Sequence, residues 1–300
     1  MTLRASLCWL VAWSASAAAQ TAQQPILREA STQVTEHVYE VKGFPNVFIV
    51  VGHRATLVVD TGLGPRNGAT VARVAQKLSL GPTLYLTTTH YHPEHAAGEP
   101  GFPTSTILIR PAVQQEDMEA HGAEMVGVFS KMSALNAELL SGVRLRPPDI
   151  IFDRELKLDL GGVTARLLWF GAAHTKGDEL VMVEPDSALV TGDVVQNETV
   201  PAIPANGGTP KSWLAVLDKV EALKPRYILP DHSEVGDGSL IAAEKAFISE
   251  LQTKALALKS QGVSADDAGK QLLAEFKTKY PGWPNLNPIP NFVRQIYAQE

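Results

Sequence analysis

Short runs of β-branched and aromatic residues, cut by glycine and proline, dominate the first third of the chain. Residues 37–41, 47–51 and 56–59 read as strands, separated by Gly43, Pro45 and Gly52 and closed by Gly62. Over residues 67–78, Val71, Val74 and Leu78 recur at helical spacing, which predicts an amphipathic helix. Strands at 84–86 and 107–109 follow, so strand and helix alternate in the α/β manner. Residues 112–140 change character. Met118, Met125 and Met132 fall seven apart, with Val128 and Leu135 on the same stripe, which predicts a long helix packing its apolar face on the core or on a second copy. The other reading of that stripe is a flexible, sulfur-lined wall over a cleft. After Pro147 and Pro148, strands are expected at 156–158, 163–169, 180–183 and 188–190, then a helix at 211–223 and a strand at 227–229. Helical spacing returns over 239–259 and 265–277, and Pro281, Pro284, Pro288 and Pro290 predict an irregular tail. Strands–helix–strand–helix thus occurs twice without a short repeat, as two halves would if they stacked their sheets with helices outside.

The amino terminus reads as a secretory signal peptide over residues 1–19: Arg4, an apolar or small stretch, then Ala17-Ala18-Ala19 before Gln20. The body is expected at 20–238, with a C-terminal helical extension, 239–300, packed on the same domain. Cys8 is the only cysteine and leaves with the leader, so the mature chain has no disulfide, thiol nucleophile or thiolate ligand. Export to a periplasm or the exterior follows, without a stable membrane anchor. At 45% hydrophobic and 19% charged the chain is ordinary globular protein, and its net charge of −6 speaks against tracking nucleic-acid phosphates.

Three of the eight histidines fall within six residues, His90-Tyr91-His92-Pro93-Glu94-His95. On an extended segment His90 and His92 face one side. Pro93 biases His92 toward extended geometry and suits a first helical position, which sets Glu94 and His95 in the first turn of a helix. His174 lies in Gly171-Ala172-Ala173-His174-Thr175-Lys176-Gly177-Asp178, Asp193 ends Val190-Thr191-Gly192-Asp193, and His232 ends Leu229-Pro230-Asp231-His232. Each sits just past an expected strand, where sites on layered α/β proteins collect. Imidazole and carboxylate are what zinc and similar metals take when no thiolate is present. His37, His53 and His121 carry no such context; Tyr91 and Trp213 read as packing residues.

In these segments the chain resembles the metallo-β-lactamase superfamily from about residue 38 to 232. The family's H-x-H-x-D-H pattern matches His90, His92 and His95, its later segments match the surroundings of His174, Asp193 and His232, and Val59-Asp60-Thr61-Gly62 matches a strand-end Asp-Thr-Gly. The resemblance implies an αββα sandwich, here with a helical insertion and the C-terminal extension. It implies a first metal on His90, His92 and His174, a second on His95 and His232, Asp193 bridging them, and Asp60 orienting a ligand imidazole. Glu94 stands where the family has aspartate. Its extra methylene leaves three roles open: second-metal ligand with local adjustment, base only, or mark of a single-metal enzyme. The expected chemistry is hydrolysis with one or two Zn2+ ions, iron or manganese being the other candidates. A metal-bound water with its pKa lowered to near 7 would attack a carbonyl of a small-molecule ester or lactone, with Glu94 and Asp193 positioning it and handling its proton. β-Lactam hydrolysis ranks second, because a bridging aspartate looks like the lactonase and thioesterase branches. Iron-dependent redox chemistry and a non-catalytic metal-binding protein complete the alternatives, and a homodimer is compatible with the Met-bearing segment.

Overall fold

The structure is a computed structural model describing residues 25–200 and 207–299. The leader reading over 1–19, with Cys8, lies outside the described residues. Strands with no polar face need cover on both sides, and β3 (Val47–Val51) and β4 (Ala55–Val59) are buried at every position. They belong to a seven-stranded sheet running in sequence order. β1 (Thr32–Gln33), β2 (Val38–Val41), β3 and β4 are antiparallel neighbours, and α1 (Pro65–Leu78) crosses from β4 to its parallel neighbour β5 (Thr83–Thr87). The short helix α2 (Pro93–Ala96) leads to β6 (Ile107–Pro111); α3 (Ala112–Ser130) and α4 (Ala134–Leu139) then lead to β7 (Ile150–Phe152).

The second half repeats this plan. β8 (Glu155–Asp159), β9 (Thr164–Trp169), β10 (Glu179–Glu184) and β11 (Ala188–Gly192) are antiparallel, α5 (Pro210–Ala222) crosses to the parallel β12 (Tyr227–Pro230), and β13 (Gly236–Asp237) ends a six-stranded sheet. Three helices follow, α6 (Ser239–Ser260), α7 (Ala265–Lys279) and α8 (Ile289–Gln299).

Strand alternation sets the layers. Phe48, Val50, Leu57 and Val59 meet Leu167, Val181, Val183 and Val190 between the sheets. Val47, Ile49 and Val58 point the other way onto Val71, Val74 and Ala75 of α1. On the far side, Leu180, Met182 and Leu189 pack on α5 through Trp213, Val216 and Leu217, and the three C-terminal helices bring Ile248, Phe276 and Phe292 to the same cluster. This is an αββα sandwich whose C-terminal helices thicken one outer layer. No helix among the described residues is long and apolar enough to cross a membrane.

Three expectations are corrected. The long helix over 112–140 is two helices, because Ser133 caps the second by accepting the Asn136 backbone N–H at 3.0 Å. Its methionine stripe therefore does not pack as one face: Met118 is buried against Tyr91, whereas Met132, in the turn between the helices, is 61% exposed. The proline-rich tail is irregular only to its last proline; Pro290 sits in the first turn of α8, where a missing N–H costs nothing. The two-residue edge strands β1 and β13 carry no β-prone run long enough to predict a strand from sequence, and the short β7 adds a third strand outside the expected set.

Gly68 on α1 faces the segment that leaves α2 so closely that a Cβ there would lie 1.8 Å from the Gly98 carbonyl oxygen. Gly68→Ala is therefore expected to destabilise the chain by ~1–3 kcal/mol in urea unfolding, as overpacking does. The control is Gly127→Ala on α3, where a Cβ meets nothing within 4 Å; it should be neutral or stabilising by ~0.5–1 kcal/mol. Equal effects of the two changes would show that the approach of α1 to α2 is not tight.

Candidate metal centre

Five strands end at one edge of the sandwich, and each delivers a polar side chain there. Asp60 follows β4 with φ at 73°, a left-handed conformation that aspartate tolerates better than most residues. From that turn its carboxylate accepts the Thr89 backbone N–H at 2.7 Å and the Thr89 hydroxyl at 3.0–3.1 Å, and its Oδ2 lies 3.1 Å from His95 Nδ1. His90 and His92 follow β5. His92 is extended (φ −63°, ψ 148°) and Pro93 opens α2 at its first position, so His95 returns over the same spot one turn later. His174 follows β9, Asp193 follows β11, and Asp231 and His232 follow β12.

These side chains form two adjacent groups. In the first, His90 Nε2 and His174 Nε2 lie 3.0 and 3.2 Å from His92 Nδ1. In the second, His95 Nε2 lies 3.3 Å from His232 Nε2, and Asp193 and Asp231 complete a set of donor atoms within 4.8 Å of one another. Asp193 lies between the groups, its Oδ2 3.1 Å from His174 Nε2 and its Oδ1 3.3 Å from His232 Nε2. Of the residues expected at the site, His90, His92, His95, His174, Asp193 and His232 fall in these two groups. Glu94 sits at the border of the second group: Oε1 is 3.8 Å from His95 Nε2, and its carboxylate is not among the four converging donors.

The donor set fits divalent cations. Nitrogens at 3.0–3.3 Å have about the separation of tetrahedral ligands placed ~2.0–2.1 Å from zinc. A neutral imidazole offers one donor and one acceptor, so three rings whose nitrogens converge cannot satisfy one another. The Thr89 hydroxyl 3.3 Å from His90 Nδ1 and the Asp60 carboxylate beside His95 Nδ1 leave the Nε2 atoms of those rings facing the groups. His92 Nε2 and Glu94 Oε2 are buried without a hydrogen-bond partner.

Electrostatics agree. Burial holds His90, His92 and His95 well below the usual imidazole range, the neutral form that ligates metals. Burial also pushes the Asp60 and Asp193 carboxyls up to about 7, and Glu94 and Asp231 well above theirs. Among the described residues no lysine or arginine pairs with any of these four carboxylates. A positive charge is what such a cluster calls for.

Several supporting residues are not evident from the sequence alone. Asp178 takes the Thr175 backbone N–H at 2.9 Å and its hydroxyl at 2.5 Å, tying the turn that presents His174. Gln196 donates to Asp231 Oδ1 at 2.8 Å, and Asn46 donates to the carbonyls of Pro230 and Ser233. Asp178 and Asp231 stood inside motif segments, and that adjacency was the available signal; Asn46 and Gln196 had none. Tyr91 and Trp213 pack as expected, the indole N–H of Trp213 donating to the Val194 carbonyl at 3.0 Å.

Layers, edge site and donor set together define an αββα sandwich with a candidate metal centre at one sheet edge. The family model described as the metallo-β-lactamase superfamily matches residues 41–232, and the chain belongs to that superfamily. The linear primary-alkylsulfatase of Pseudomonas sp. (strain ATCC 19151) is 21% identical over 279 residues, 81% of this chain and 51% of that protein. The chain thus spans about half the length of the curated relative it matches. Two of the solved structures that share the fold illustrate the likeness. One is the stereoselective inverting sec-alkylsulfatase Pisa1 from Pseudomonas sp., with a TM-score of 0.67 and 14% identity over 89% of this chain and 49% of that one. The other is the metallo-β-lactamase from Pontibacter korlensis, with a TM-score of 0.56 and 18% identity over 74% and 99%. The first coverage exceeds what residues 1–238 alone supply, so it takes in part of the C-terminal helices.

Behind the centre, Glu244 on α6 is buried and accepts the Gln196 backbone N–H, and burial pushes its carboxyl from 4.5 up to about 8. A raised folded pKa means that the protonated side chain contributes stability below about pH 4.5, which is lost as pH rises toward about 8. Glu244→Gln keeps the acceptor and removes the ionisation. Urea unfolding of the variant and the wild type should therefore diverge in the variant's favour across that window, by up to ~1.4 kcal/mol per pH unit. Parallel pH profiles would show that Glu244 does not titrate there.

Proposed function

We propose that the chain is a two-cation hydrolase of small-molecule esters, with zinc as the cation and carboxylic esters and lactones as first substrates. The observation that carries this is the pair of donor groups sharing Asp193 between them. Cations held there would supply Lewis acidity and an acidified water. Glu94, buried with Oε2 unpartnered at the border of the second group, is placed to accept a proton from the attacking water at that atom. Asp193 holds the two groups in register, and Asp60 fixes the ring of His95. At the rim, the Phe44 ring lies 4.4 Å from that of His232, and Phe129 on α3 lies 6.3 Å from His92. Both suit an apolar substituent on the ester.

A second reading, hydrolysis of an alkyl sulfate ester, is favoured by one observation: similarity to an alkylsulfatase reaches into the C-terminal helices. β-Lactam hydrolysis ranks below both. Elemental analysis should find zinc rather than iron or manganese. Chelation should abolish turnover of an aryl carboxylic ester and a lactone, zinc should restore it, and an alkyl sulfate and a cephalosporin should be turned over at least about tenfold more slowly. Chelator-resistant turnover would sink the metal reading, and a preference for the sulfate would move the assignment to the second.

Residues 1–19 add export to the proposal, into a periplasm or the exterior. N-terminal sequencing of the protein from the expected compartment should begin at Gln20; an intact Met1 there would refute a cleaved leader.

A further inference from the structure

We infer that Asp231, and not Glu94, supplies the carboxylate ligand of the second cation, alongside His95, Asp193 and His232. The inference rests on the two-cation reading above and assigns one of its ligands. Asp231 is fully buried and one end of its carboxylate is anchored: Oδ1 accepts Gln196 Nε2 at 2.8 Å. Its other oxygen, Oδ2, takes no hydrogen bond from a backbone, amide or hydroxyl group, and the carboxyl lies against that of Asp193, a fellow member of the second group. His95 Nδ1 stands 3.3 Å from Oδ2, but that nitrogen has one hydrogen to give. Asp60 Oδ2 lies closer, at 3.1 Å, and Asp60 is itself held by Thr89. With Asp60 orienting His95, the Asp231 carboxylate remains available to the second group, in which one donor atom each from His95, Asp193, Asp231 and His232 lies within 4.8 Å of the others.

Asp231 is also held from behind. The Asn46 backbone N–H donates to the Asp231 carbonyl at 2.6 Å, and the Asn46 side chain donates to Pro230 and Ser233 on either side. Gln196 Nε2 donates as well to the Gly192 carbonyl, and Gln196 Oε1 accepts the Ser233 hydroxyl, so one amide fixes the loops after β11 and β12 together. A ligand locked in this way loses little freedom on binding. Glu94 also has an unpartnered oxygen, but its carboxylate takes a hydrogen bond from its own backbone N–H and does not join the converging set. That leaves it free for the proton-handling role given above.

The test is zinc titration of the chelated full-length protein by calorimetry, with elemental analysis after dialysis and circular dichroism to confirm folding. The wild type should take up two equivalents. Asp231→Asn should keep the tight equivalent of the His90, His92 and His174 group and bind the second at least about tenfold more weakly, whereas Glu94→Gln should keep both. Unchanged binding by D231N overturns the assignment, as does loss of the second equivalent from E94Q, alone or in both variants. Should D231N fail to fold, Q196M, which releases Oδ1, is expected to weaken the same second equivalent, and an unchanged affinity overturns the assignment. A wild-type chain that takes up only one equivalent overturns the two-cation reading and this assignment with it.

Discussion

Five imidazoles and the carboxylates of Asp60, Glu94, Asp193 and Asp231 crowd one edge of the sandwich, nearly all out of reach of water, and among the described residues no lysine or arginine pairs with these carboxylates. Burying an ionised carboxylate without a partner is costly, and burying several together multiplies the cost through their mutual repulsion. Two sources offset it. One is the scaffold: Thr89, Gln196, Asn46 and the Asp178 turn hold each group before any ligand arrives. The other is a divalent charge, with which the two converging donor sets are compatible. The buried Arg110 on β6 pairs with Glu99 and donates to Gln115 and the Arg146 carbonyl, not to these four carboxylates.

The doubled architecture explains how so many donors reach one place. In each half an antiparallel meander ends in a strand, a helix crosses over, and a parallel strand follows. The residue after the strand that precedes the crossover is an aspartate in both halves, Asp60 after β4 and Asp193 after β11. The loop after the strand that follows the crossover brings histidine in both, His90 after β5 and His232 after β12. Stacking the sheets sets these loops opposite one another, so each group draws on both halves: His174 joins His90 and His92, and His95 joins Asp193, Asp231 and His232. Neither half alone closes a donor set.

What could be read along the chain follows from which signals are local. The β-branched runs of β3 and β4, the histidine spacing around Pro93 and the strand-end positions of His174, Asp193 and His232 depend on neighbouring residues, and the fold places them accordingly. The break between α3 and α4 depends on a cap at Ser133 that competes with an unbroken apolar stripe, and the cap prevails because the stripe has no continuous partner: Met132 points to solvent. Pro290 ends one pattern and begins another, a distinction that composition does not make. Asp231 and Gln196 were legible least of all. Their importance lies in a contact across thirty-five positions, between loops that only the parallel pairing of β11 with β12 brings together.

The converging donors are compatible with divalent cations, and proteins as different as an alkylsulfatase and a β-lactamase share this fold with the chain at 14–18% identity. Discrimination among substrates must therefore come from what surrounds the donors. Here two elements of unlike stability flank them. Phe44 stands on a hairpin that Asn46 fastens to the loop of Asp231 and His232 by hydrogen bonds from a fully buried amide. Phe129 stands near the end of α3, followed by an exposed turn and the short α4. A buried staple resists displacement, whereas an exposed turn between two helices yields at lower cost. The hairpin side of the rim is thus fastened by buried hydrogen bonds to the loop that carries Asp231 and His232, whereas the α3–α4 side is bounded by an exposed turn with Met132 in solvent.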